Sequence, residues 1–469
     1  YEIRHQSVSI SELANRQDSF PPLGRWLLGI WLAVGGDASA RWFSLVTGLL
    51  GVVAIGLLGR CVGGDRIGVL AAWLAAISAN HLLYSQQARL YGLYLLFATA
   101  LMIAAWRLRT RDRWSDWLWF AVAAWLTLAT HYYAALLIAL LFVLLFAELS
   151  WPNRRRAMVA AGMFAIACLP LAYCLKVDLG RTKYDYLTAS FDFSAWAYTY
   201  LTLVSGFTLG PPMSALRELS AADGIRALAP WAIAICLAVG VLAWSCIQRL
   251  AWRDSLWLFT LLIAPPAMAA AAAVVSPTGY TSRYLVWILA PLLVIMAAGM
   301  DRWRGRPVVL IAAIGFVAIS LLAIGNRRLD PDYRVYHFDH VKQLMIEEGP
   351  ADPVLALPRY FAEAAEYHLA VDTGTQTRPV FLATDKPGEE QNWDEVLPQL
   401  LAAIGESSEY WIVTQSFPPD DARRDLRDEL VDRLAGKHVE RVTWTIDVYR
   451  APTARLRQVV ASIDETPDE

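Results

Sequence analysis

Apolar runs of about 18–20 residues recur along the chain, each long enough to cross the hydrocarbon core of a bilayer as a helix. The pattern predicts helical spans near 41–60, 67–84, 90–106, 117–131, 133–148, 157–176, 229–247, 256–275, 283–300 and 307–325. The runs at 117–131 and 133–148 are short and meet at His131-Tyr132-Tyr133. Composition agrees with a membrane protein. Of 469 residues, 57% are hydrophobic and only 18% charged, where a soluble domain would carry about 25%. Trp106, Trp114, Trp117, Trp151, Trp252 and Trp303 fall near predicted span ends, the level that tryptophan favours.

Loop charge sets the orientation. Arg60 and Arg66, Arg107–Arg113, Arg154–Arg156, Arg249 and Arg253, and Arg302–Arg306 fall on alternate loops. The short loops between them hold only Arg89, nothing basic at Thr130–Tyr133, and Arg283. The arginine-rich set is cytoplasmic by the positive-inside rule. Residues 1–40, a long loop at 177–228 and the tail at 326–469 then share the outer face with Arg89 and Arg283. The chain opens on Tyr1 in a polar segment, so one further span is expected upstream.

From Asn326 onward the character changes. This tail holds 28 of the 43 acidic and 16 of the 41 basic residues, a balance of −12 within a chain of net charge −2. Val354–Pro358, Val380–Ala383, Tyr410–Thr414 and Val439–Tyr449 read as strands. Tyr360–Leu369, Trp393–Ile404 and Asp420–Leu434 read as helices between them. The alternation predicts a soluble α/β layer with a parallel sheet, and no glycine-rich phosphate loop follows any strand. The expected architecture is a polytopic all-α membrane domain at 41–325, an outer loop with an interfacial helix at 1–40, and an extracytoplasmic α/β domain at 326–469.

Polar groups inside such a chain are costly and mark function. Tyr84-Ser85-Gln86-Gln87-Ala88-Arg89-Leu90-Tyr91 is a polar knot between two apolar runs, and Ser282-Arg283-Tyr284 lies in a second on the same face. Two outer arginines beside tyrosines suit an anionic lipid phosphate, which a guanidinium grips through paired hydrogen bonds. His131 joins that face. Asp18-Ser19-Phe20-Pro21-Pro22-Leu23 precedes the apolar stretch Trp26–Val34, and the prolines can open a helix lying at the interface. An acid–base carboxylate must lie within hydrogen-bond reach of the proton it takes. Near the outer face the available acids are Glu2, Glu12, Asp18, Asp37, Asp178, Asp185 and Asp192. The five cysteines sit in or beside spans and read as small apolar residues.

In order along the chain, Asp18–Leu23, Arg41-Trp42-Phe43-Ser44, Tyr84–Tyr91 and Arg283-Tyr284 resemble the motifs of GT-C class membrane glycosyltransferases. The resemblance is to the protein mannosyltransferase and aminoarabinose transferase-like branch of bacterial inner membranes, and it runs over nearly the whole chain. It implies inverting transfer of a sugar from a polyprenyl-phosphate donor to a glycan, lipid or protein acceptor at the outer face. It places Arg89 and Arg283 at the leaving lipid phosphate, with Pro21, Pro22, Gln86, Gln87, Tyr91 and Tyr284 as further substrate contacts, to which the shared outer face adds His131. It puts a catalytic carboxylate in the first outer loop, where Glu2 and Asp18 are the candidates and the principal aspartate is expected upstream of Tyr1. Gln87 stands where the family often has glutamate, which removes one charged ligand, so no divalent metal is predicted. No other cofactor and no nucleic-acid partner is expected. A transporter or lipid flippase, suggested by Pro265-Pro266 within a span, and a non-catalytic polysaccharide-export component are the competing readings.

Overall fold

The computed structural model describes residues 21–36, 39–87, 89–111, 113–148, 151–181, 193–212, 216, 219, 221–275, 282–303, 305–330, 333, 341, 344, 354–357, 380–382, 393–404, 408–415, 422–434, 436–443 and 446–464. It divides into two compact units. One lies within Gln6–Leu209 and Ala229–Gly325, and the other includes Gly210–Leu228 and Asn326–Glu469.

The first unit is helical. Its elements in order are α1 (Pro22–Gly35), α2 (Ala40–Gly63), α3 (Asp65–Ala76), α4 (Ala79–Gln86), α5 (Tyr91–Arg111), α6 (Trp114–Thr130), α7 (Ala134–Glu148), α8 (Trp151–Ala167), α9 (Leu169–Arg181), α10 (Phe193–Ser205), α11 (Ala221–Arg249), α12 (Trp252–Val275), a 3-10 segment (Ser282–Ile288) running into α13 (Leu289–Met300), and α14 (Pro307–Leu329). By length and composition, six helices among the described residues can cross a membrane, or eight if each of two bent pairs is one span. The apolar pattern predicts ten. The shortfall has a geometric cause. At 1.5 Å per residue α6 and α7 rise only about 25 Å and 22 Å, less than the roughly 30 Å of the core. The predicted spans at 67–84 and 157–176 are each broken. Asp65–Ala76 and Ala79–Gln86 meet at 60°, and Arg154–Ala167 and Leu169–Lys176 at 46°. The segment read as a loop, 177–228, includes α10 and the first turns of α11.

Small residues let the first helices approach closely. A Cβ on Gly68 of α3 would lie 2.7 Å from the Gly56 carbonyl oxygen of α2, so the two backbones touch there. The turn between them is made by Gly64 at φ 92°, whose N–H closes on the Arg60 carbonyl, a conformation that glycine adopts without strain. α5 and the 3-10/α13 segment form the centre of the unit, with 72% and 89% of their apolar windows buried. α11 and α14 are peripheral, at 17% and 28%.

Ion pairs tie the arginine-rich loops together. Asp301, after α13, takes Arg66 at 2.9 Å and Arg249 at 2.7 Å. Arg109, in the last turn of α5, reaches Glu148 at the end of α7 at 2.7 Å and Asp254 at the start of α12 at 2.9 Å. Its guanidinium lies between the Trp106 and Trp257 rings, 4.5 Å and 4.6 Å from their centroids. The Trp257 indole N–H donates to the same Glu148 at 2.8 Å. These contacts join loops that the charge alternation assigns to one face.

The second unit carries a five-stranded sheet of order β2-β1-β3-β5-β4, from β1 (Val354–Leu357), β2 (Val380–Leu382), β3 (Glu409–Gln415), β4 (Lys437–Thr443) and β5 (Ile446–Pro452). β1 runs parallel to β2 and β3, whereas β5 is antiparallel to β3 and β4. The sheet is therefore mixed, not all-parallel. The single strand read over Val439–Tyr449 is instead two antiparallel strands, β4 and β5, because the apolar alternation does not mark where one ends and the next begins. Alternate residues Tyr410 and Ile412 face α15 (Trp393–Ile404), α16 (Ala422–Arg433) and α17 (Thr453–Asp464) through a core of Leu397, Leu400, Leu434 and Leu456. α17 had no counterpart in the sequence reading, and the helix read at Tyr360–Leu369 lies outside the described residues.

Candidate functional site

The polar knot is a break between two helices. α3 stops at Ala76, and Ser78 caps α4 by accepting the His81 N–H at 3.3 Å. α4 buries Asn80, His81 and Ser85. Asn80 donates from Nδ2 to the Thr202 carbonyl of α10 at 3.0 Å, and the Ser85 hydroxyl donates to the His81 carbonyl at 2.8 Å. Ser85 sits where a side chain on Gly48 of α2 would stand, since a Cβ there would lie 2.2 Å from Ser85 Oγ. The chain then extends at Gln87, with φ −89° and ψ 134°. The Arg89 N–H donates back to the Gln87 carbonyl at 2.7 Å, and the Tyr94 N–H to the Leu90 carbonyl starts α5. Ser44, the last residue of Arg41-Trp42-Phe43-Ser44, donates to the Arg89 carbonyl at 3.4 Å. The Arg89 backbone is thereby pinned to α2 while its side chain stays exposed.

Around Arg89 stands an aromatic cluster. Tyr84 and Tyr91 lie 5.0 Å apart by ring centroids. The His131 ring stacks on Tyr94 at 4.7 Å and lies 4.8 Å from Tyr284 and 6.4 Å from Tyr91. Tyr133 closes the group, 5.0 Å from Tyr284. Arg89 and Arg283 both lie within electrostatic range of the Tyr91 phenol. The Arg283 guanidinium is 6.0 Å from the Tyr284 ring centroid. His131 is held by its own turn, with the Tyr133 N–H donating to His131 Nδ1 at 3.2 Å.

Arg89, Tyr91, His131, Arg283 and Tyr284 thus come together from three separate stretches of sequence. Pro21 is buried and precedes Pro22, which occupies the first position of α1. That helix reaches the knot through Gly24, where a Cβ would lie 2.6 Å from Leu90 Cδ1. Gln86 is exposed and Gln87 half-buried beside Arg89. Glu2 and Asp18 lie outside the described residues. Sequence reasoning missed Tyr94, although its spacing of three from Tyr91 puts both on one helix face. It also chose His131 from His131-Tyr132-Tyr133 without Tyr133, because only the turn at the start of α7 decides which ring faces the cluster.

What the arrangement offers chemically is a positively charged rim over a deep aromatic floor. Arg89 and Arg283 stand at the starts of the two most buried spans among the described residues, the ends at which a helix dipole favours an anion.

Residues 19–173, about a third of the chain, match the dolichyl-phosphate-mannose-protein mannosyltransferase family. The stretch includes Arg89, Tyr91 and His131 but not Arg283. The fold is similar to that of ArnT from Cupriavidus metallidurans in the apo state, with TM-score 0.53 and 13% identity over 96% of this chain and 92% of that one. ArnT from the same organism bound to undecaprenyl phosphate gives TM-score 0.50 and 12% identity over 94% and 92% of the two chains. No curated protein matches. The chain has the fold of a GT-C class membrane protein, and its first third is mannosyltransferase-like in sequence. It is a multi-pass membrane protein.

Proposed function

We propose that the chain is an inverting glycosyltransferase that moves a sugar from a polyprenyl-phosphate donor to an acceptor at the outer face of a bacterial inner membrane. The observation that carries this reading is the convergence of Arg89 and Arg283 on Tyr91 at the mouths of the two central helices. The fold it shares with a protein solved with undecaprenyl phosphate supports the same donor class.

In an inverting displacement the acceptor oxygen attacks the anomeric carbon as the bond to the lipid phosphate breaks. A carboxylate takes the acceptor proton, and the lipid phosphate leaves with the bond's electron pair. Arg89 and Arg283 meet the charge that grows on the leaving oxygen, and such preorganised donors are the largest common source of rate enhancement. The buried rings of Tyr91, Tyr94 and His131 lie beneath the two guanidiniums and give the donor phosphate an aromatic surface on its protein side. The proton acceptor is assigned to the first outer loop, with Glu2 and Asp18 as its carboxylates. The tail at 326–469 is assigned to the same outer side.

The test is transfer in proteoliposomes from an undecaprenyl-phosphate-linked pentose or hexose, with Arg89→Ala and Arg283→Ala alongside the parent. Loss of transfer in both variants, with the fold retained, is the expected result. Transfer at the parent rate by either variant would sink the assignment. A transporter reading draws on the bent pair α3–α4, since broken spans with polar sites recur in transporters. It would be favoured by movement of the lipid-linked sugar across vesicles with its glycosidic bond intact.

A further inference from the structure

A second polar-and-apolar feature lies at the opposite ends of the spans from Arg89. α11 and α14 flank an open crevice of about 670 Å³. Its walls include Gly240, Val241 and Trp244 of α11 and Val309 of α14, and Gln248 and Arg306 stand at its mouth. The crevice exists because α11 gives up a side chain at Gly240, where a Cβ would have nothing within 4 Å. α11 is held instead against α13, with the Ser245 hydroxyl donating to the Gly299 carbonyl at 2.9 Å. Trp244 is 64% exposed, so the wall faces the membrane and not the protein core.

The mouth is basic. Arg306 and Arg302 both donate to Gln248, one to its side-chain oxygen and one to its carbonyl. Among the described residues neither guanidinium meets a carboxylate. The neighbouring Asp301 is already taken by Arg66 and Arg249. Arg302 and Arg306 thus stand beside an aspartate whose charge two other arginines already meet, and each guanidinium has five N–H donors of which Gln248 uses few.

We propose that this crevice binds an anionic glycerophospholipid of the cytoplasmic leaflet. Its phosphate is held by Arg306 and Arg302, and one acyl chain lies along Gly240, Val241 and Val309. The occupant follows from the surroundings. The groove opens to lipid, its end lies on the arginine-rich face, and that leaflet holds the anionic lipids that basic pockets between spans select. The site is separate from the Arg89–Arg283 cluster and does not depend on how that cluster is used.

The experiment is native mass spectrometry of the full chain released from nanodiscs of equimolar phosphatidylglycerol and phosphatidylcholine. The parent should retain phosphatidylglycerol at least tenfold over phosphatidylcholine. The double variant Arg302→Gln/Arg306→Gln should lose that preference, and Gly240→Trp, which fills open space, should retain less of either lipid. Sugar transfer should persist in Gly240→Trp. Equal retention of the two lipids by the parent, or an unchanged preference in the double variant, would overturn the proposal. A photoactivatable phosphatidylglycerol gives a reading on the parent alone. Crosslinks in peptides 236–248 and 305–309 are expected, and crosslinks confined to other spans would refute the site.

Discussion

Arg89 and Arg109 stand at opposite ends of one helix and are held by opposite means. α5 covers Tyr91–Arg111, so the two guanidiniums are separated by about 30 Å of helix rise. Arg109 is 10% exposed, paired with Glu148 and Asp254, and clamped between two tryptophan rings. It also lies in the last turn, where the helix dipole favours a cation. Arg89 precedes the first turn, where the dipole opposes it. It is exposed, its charge lies near the Tyr91 phenol, and it meets no carboxylate among the described residues. Among the described residues one arginine has its charge met by carboxylates and the other does not. That is the difference expected between a structural cation and one with the anion-binding role proposed above for Arg89.

The largest test of that contrast is Arg109→Ala. Removing it leaves Glu148 and Asp254 half-buried without their partner, and breaking such a network costs about 3–5 kcal/mol. Thermal or denaturant unfolding in detergent should show the loss, while transfer per folded molecule stays near the parent value. A matching loss of kcat with full stability would break the contrast. Arg89→Ala should behave in reverse, losing about 100-fold or more in kcat/KM, as removal of an oxyanion donor does, with little change in unfolding. Arg89→Lys sharpens the point. Lysine keeps the charge but not the paired hydrogen bonds, so it should recover only part of the loss, and full recovery would mean that charge alone suffices. Gly68→Leu forces a side chain onto the Gly56 carbonyl and should destabilise by about 1–3 kcal/mol, read in the same unfolding assay. Trp257→Phe keeps the ring over Arg109 but removes the N–H to Glu148, for a loss of about 1 kcal/mol. No change there would assign the clamp to the ion pairs alone.

The sequence made α2, α5, α11, α12 and α14 legible, because an uninterrupted apolar run of span length has few alternatives to a membrane helix. It did not show the bends at Ile77 and Cys168. Hydropathy averages over a window, and a serine cap or a turn of one residue leaves that average unchanged. In the second unit the individual strands near Val354, Val380 and Tyr410 could be seen locally. Their mixed order could not, because pairing partners are chosen by contacts far apart in sequence.

The order of polar and apolar residues by itself determined that this is a membrane protein, and its alternating loop charge singled out Arg89 and Arg283 as the lone cations of their short loops. Those properties follow from charge and solvation, which act residue by residue. Only the tertiary structure decided that Arg89, His131 and Arg283 meet around Tyr91, that Tyr94 and Tyr133 complete the floor, and that Arg109 is locked. Such contacts depend on the glycine-lined approach of α2, α3 and α4 and on where each helix breaks, and no local property of the chain encodes a distance between residues 89 and 283.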